Sequence, residues 1–90
     1  MAILKMNKKV LSLRKRVDRI DEKILFLVKQ RKKTVQKIIS IRMADADKKE
    51  DFAREKEVLE ARRENALRMN INPDFIEKLF KDVIKYSKQK

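Results

Sequence analysis

Arg31 occupies a position where a sequence built only to pack helices would carry Leu or Ile. Leu13, Val17, Ile20, Ile24, Leu27, Arg31, Thr34, Ile38 and Ile41 advance by alternating steps of four and three, which puts them on one face of one helix. A guanidinium buried in such a seam without a partner costs several kcal/mol or more. No acidic residue lies one turn from Arg31 on the same stripe, so the expected counter-charge is a ligand. Arg42 comes about three turns later and projects from the same side, about 16 Å along the axis, within reach of the same small anion. Arg14 is about 25 Å before Arg31 and rotated by a quarter turn or more, so one chain cannot bring it to that pocket. In an antiparallel dimer of the helix, the partner subunit's Arg14 would meet Arg31 and Arg42, giving two equivalent pockets by symmetry.

The rest of the composition narrows the chemistry to electrostatics. The 90 residues contain no histidine and no cysteine, which removes imidazole bases, thiolate nucleophiles, disulfides and thiolate metal sites. The longest apolar run, Ile24 to Val28, is too short to cross a bilayer, and the N-terminus lacks a secretory apolar core. A cytoplasmic protein without membrane contact is expected. The net charge of +12 invites anions, although a solvated Lys-rich surface accounts for most of it.

These side chains must be positioned by helices. Glycine is absent and there is one proline, a composition against hairpins and for long helices. The expected fold is all-α, a single domain over residues 1–90 with three helices. The first runs from about Lys8 to about Met43, about 54 Å. With an apolar stripe that long, it needs a partner chain to cover it. Ala44 to Lys49 loses the apolar period and carries capping aspartates, so it reads as a mobile connection. Helix two, roughly Glu50 to Met69, places Phe52, Leu59, Ala66 and Met69 on one stripe, with Glu55 and Arg62 at intervening seam steps. Asn72-Pro73-Asp74 is a helix start, and helix three should pack through Phe75, Ile76, Leu79, Phe80, Val83 and Ile84, with Ser87 continuing that face.

Plainer readings stand beside these. From periodicity alone, Arg14 and Arg42 are flanking charges on a solvated coiled-coil edge. Arg54-Glu55 is as well explained as part of a surface ladder, Arg31 can snorkel along its aliphatic stem, and Ser87 reads as a frayed hydroxyl.

Taken in order, Leu13-Arg14, Arg16-Val17-Asp18-Arg19-Ile20-Asp21-Glu22-Lys23-Ile24, Arg31, Asp51-x-x-Arg54-Glu55 and Leu79-Phe80 followed by Ser87 resemble the all-helical class of chorismate mutases over about residues 8–88. The resemblance implies an intertwined homodimer of three-helix chains that rearranges chorismate to prephenate. That intramolecular Claisen reaction needs no cofactor, metal or covalent intermediate. It further implies that Arg31 and the partner subunit's Arg14 hold carboxylates, and that Arg42 stands where the family commonly has a lysine contacting a carboxylate and the ether oxygen. Asp51, through its backbone, and Glu55 would bind the ring hydroxyl, Ser87 a carboxylate, and Arg54 would orient Glu55.

Two departures predict weak activity. Arg at position 42 is a bulkier planar fork than lysine. The family's Gln or Glu one turn after Ser87 falls at position 91, past Lys90, and losing one such donor typically costs about 10²–10³ in rate. Competing expectations are an isochorismate-pyruvate lyase of the same fold, a regulatory mutase-like subunit, and a non-enzymatic basic dimer binding nucleic acid. Against the last, the basic residues are spread over all helix faces, with few aromatics to stack on bases.

Overall fold

The computed structural model describes residues 7–42 and 48–90, with the backbone alone for 48–50. It contains three helices, α1 (Lys8–Arg42), α2 (Lys48–Arg68) and α3 (Pro73–Lys88). The all-α expectation holds. Helix α2 begins at Lys48, two residues before the expected start, so Lys48 and Lys49 belong to a helix and not to the connection. Met43 and the remainder of that connection, with its candidate capping aspartates Asp45 and Asp47, lie outside the described residues. Among the described residues no helix is long and apolar enough to cross a membrane.

Contacts divide the chain into two units, Met1–Gln30 and Arg31–Lys90. In the first, Asn7 opens α1. Its Oδ1 accepts from Lys9 N–H at 2.8 Å, and its carbonyl accepts from Leu11 N–H at 3.0 Å, the two bonds of an N-cap. The apolar stripe of this segment is uncovered, with Leu13, Val17, Ile20, Ile24 and Leu27 all more than half exposed.

In the second unit α2 packs against α3. Val58, Ala66, Ile84 and Ser87 form its buried centre. On α2 the middle of the expected stripe faces inward, with Ala66 buried and Leu59 half-buried, but Val58 joins it and the ends, Phe52 and Met69, are exposed. On α3, Ile84 is buried but Phe75 and Leu79 are exposed, because one neighbouring helix covers a narrower band than an amphipathic helix carries.

Arg62, expected as an anomalous charge in the seam, lies over the Phe80 ring at 5.7 Å and donates to Asn65 Oδ1 at 3.2 Å. Its flat face thus covers apolar surface while its edge stays hydrogen-bonded.

The α2–α3 corner is closed by backbone chemistry. Asn70 adopts φ 57°, the left-handed conformation that Asn tolerates best after Gly. Ile71 N–H reaches Ala66 carbonyl at 2.9 Å and Asn70 N–H reaches Leu67 carbonyl at 3.3 Å, the paired bonds of a Schellman ending. Asn72 then caps α3 as expected, its Oδ1 accepting from Asp74 and Phe75 N–H at 2.9 and 3.2 Å. Arg63 reaches across to Asp74 at 2.9 Å and Glu77 at 3.7 Å. The hydrogen bond that Arg63 donates to the Asp74 carboxylate holds its guanidinium above the ordinary pKa.

Candidate active site

Helix spacing gathers the charged residues of the second unit around one cavity. Arg31, Val35, Ile38, Ile39 and Arg42 recur at three- and four-residue steps on α1, Asp51, Arg54, Glu55 and Val58 do so on α2, and Ile84 and Lys88 stand one turn apart on α3. Together they enclose about 360 Å³, at the lower end of small-molecule pockets. The apolar side chains suit a carbocyclic ring, and the charged ones suit carboxylates and a hydroxyl.

Arg31 anchors this arrangement. Its Nη1 donates to Ser87 Oγ at 2.5 Å, and Ser87 Oγ donates in turn to Val83 carbonyl at 2.8 Å. Burial lowers the Arg31 pKa below the ordinary guanidinium value, and the nearby positive charges of Arg62 and then Arg54 push the same way. An environment that penalises a cation by desolvation and by other cations favours an arriving anion.

The acidic lining residues already have partners. Arg42 Nη1 lies 3.4 Å from Asp51 Oδ1, and the Lys88 ammonium bonds the Glu55 carboxylate. Arg54 pairs with Glu57 at 2.7 Å. That corrects the expectation that Arg54 orients Glu55: the i,i+3 neighbour on its own helix captures the guanidinium, and Lys88 from α3 takes Glu55.

The structure thus brings Arg31, Arg42, Asp51 and Glu55 to one cavity. Ser87 sits directly behind Arg31, fully buried, and is not a lining residue. Arg14 belongs to the first unit and does not line this cavity.

Sequence reasoning missed three contributors. Lys88 follows Ser87 and stands four residues after Ile84, so the same-face rule would have found it. Lys32 and Gln36 had no such signal. Gln36 Nε2 donates to the carbonyls of Ser87 at 2.8 Å and Gln89 at 3.1 Å. Lys32 Nζ donates to the Tyr86 carbonyl at 2.8 Å and to that of Gln89, and lies 4.4 Å from the Tyr86 ring. These α1 side chains satisfy the last carbonyls of α3, which a helix cannot satisfy for itself.

An all-helical chain with a cationic, partly apolar cavity of this size belongs to the class of small-molecule anion sites built between packed helices. The family model described as chorismate mutase type II matches residues 13–90, and the chain belongs to that family. Its activity is that of an isomerase in aromatic amino-acid biosynthesis, acting on chorismate and yielding prephenate. Nothing in the match speaks for the lyase or the nucleic-acid reading. Comparisons with curated proteins and with solved structures returned no match.

Proposed function

We propose that this chain catalyses the chorismate rearrangement in the cavity between α1, α2 and α3, as a homodimer in which each site is completed by the partner subunit's Arg14. The observation that carries the reading is Arg31 facing the cavity with its guanidinium held by the buried Ser87. A dicarboxylate has two anionic ends and an ether oxygen that gains negative charge as its bond to carbon breaks. Catalysis then consists of folding the substrate into its reactive chair and supplying fixed positive charge to that oxygen. Arg31 takes a carboxylate, Arg42 a carboxylate and the ether oxygen, and Asp51 and Glu55 the ring hydroxyl. Ser87, its hydroxyl engaged by Arg31 and by the Val83 carbonyl, acts by holding Arg31 in place from behind the cavity wall.

The uncovered apolar stripe from Leu13 to Leu27 supports a second copy as its cover, since an exposed apolar surface of that extent is unfavourable in water. Residues 1–90 act as one domain under this reading, in a cytoplasmic setting. The test is loss of chorismate absorbance with wild type and Arg31→Ala. Turnover by wild type and a fall of at least about 10²-fold in the variant are expected. Equal rates would overturn the site assignment.

A further inference from the structure

We infer that Lys88 is a substrate-binding cation of this cavity, matching its charge to a doubly negative guest. The inference rests on the chorismate reading of the site. Lys88 lines the cavity and its ammonium bonds Glu55, which lines it too. An ammonium has three N–H donors arranged about one nitrogen, so the bond to Glu55 leaves directions open toward a carboxylate. A carboxylate offers about four acceptor positions, so Glu55 can keep Lys88 and still accept a hydroxyl.

Charge arithmetic favours this role. The lining carries Arg31, Arg42, Arg54 and Lys88 against Asp51 and Glu55, a surplus of two positive charges, equal and opposite to a dicarboxylate. Arg54 shares its charge with Glu57 outside the lining, which leaves a surplus of one. The proposed Arg14 of the partner subunit would raise it to two, and loss of Lys88 would take one of these away. Without Lys88, Glu55 would stand in the wall as an uncompensated anion and repel the guest.

The position is also preorganised. Lys88 is the last residue of α3, where the negative pole of the helix favours a cation. Lys32 and Gln36 tie down the carbonyls of Tyr86, Ser87 and Gln89 on either side of it. The backbone that carries Lys88 is therefore held from α1, at the level where Arg31 meets Ser87.

The experiment compares wild type, Lys88→Met, which keeps the length and removes the charge, and Lys88→Arg, by chorismate kinetics over a range of ionic strength and by calorimetric titration. The titrant is prephenate, the product dicarboxylate, which is not consumed, or chorismate where no turnover occurs. In Lys88→Met, KM and the calorimetric Kd are expected to rise about 10-fold, the scale of one lost charge-assisted bond. The fall of log(kcat/KM) with salt should become shallower, and kcat should change less than KM. Lys88→Arg should restore affinity and salt slope, which a merely structural role would not require. Unchanged affinity and salt slope in Lys88→Met, with wild type active, would overturn the role of Lys88 and leave the mutase reading standing. A wild type that binds chorismate without turning it over would overturn that reading, while the calorimetric comparison still decides for or against Lys88. A wild type that neither binds nor converts chorismate overturns both.

Discussion

The Arg31 guanidinium and the Ser87 hydroxyl meet at 2.5 Å, and this contact ties α1 to α3 through a side chain that is otherwise sealed from water. Ser87 has 0% exposure, yet its oxygen accepts from Arg31 and donates to the Val83 carbonyl, so both capacities of the hydroxyl are used. The bond fixes the direction of a partly desolvated cation at the cavity wall, which is what electrostatic catalysis requires of a group that must not reorganise during reaction.

Ser87→Ala should therefore cost both stability and rate. Removing the acceptor leaves a donor of Arg31 without its partner, a loss of about 1–3 kcal/mol measurable as a lower urea midpoint with an unchanged slope. A looser Arg31 should lower kcat/KM by about 10-fold or more, an effect smaller than that of Arg31→Ala. The loss should be the same at pH 6 and pH 9. A folded-state cation whose pKa is lowered by burial carries its stability cost at every pH below the folded pKa. That cost is relieved only as pH rises through the guanidinium range, far above neutrality. A ratio of wild-type to variant kcat/KM that changes steeply across this interval would contradict the assignment.

Gln36→Leu should loosen the end of α3, which carries Lys88, while removing no side chain that lines the cavity. It removes the donor to the Ser87 and Gln89 carbonyls, at a cost of about 1 kcal/mol. Amide hydrogen exchange should quicken in the last turn of α3 and stay unchanged at its Asn72 cap. Gln36→Glu, similar in shape but repelled by the same carbonyls, should be at least as damaging. Uniform exchange across α3 in both variants would show that these bonds do not anchor the helix end.

Paired Ile20→Glu and Ile24→Glu substitutions should abolish self-association. Both side chains are about half exposed in the single chain, so the substitutions cost little there, whereas burying two carboxylates in an apolar interface costs several kcal/mol. Sedimentation should report a dimer for wild type and a monomer for the variant, with turnover lost because the partner subunit's Arg14 no longer reaches the site. A monomeric wild type with full activity would sink the proposed role of Arg14.

Much of this architecture is legible in the order of residues because helix signals are local. The three- and four-residue periods, the Asn72-Pro73 start and the missing glycine predict three helices, and they appear as α1, α2 and α3. The in-phase arginine at 31 pointed to an anion as its counter-charge, and Ser87 was placed on the inward face of α3; those two side chains are in contact. What stayed hidden depends on distance between elements. Whether Phe52 or Val58 is buried turns on the rotation of α2 against α3, which a stripe one residue wider leaves open.

The sequence by itself determined the helices, their caps at Asn72 and the electrostatic kind of chemistry, since each depends on neighbours within a turn or on residue types that are simply absent. Only the tertiary structure decided which charges share a wall: that Lys88 rather than Arg54 holds Glu55, and that Lys32 and Gln36 close the end of α3. Long, flexible side chains settle on whichever partner the packed helices bring nearest, and for residues more than fifty positions apart no spacing rule encodes that distance.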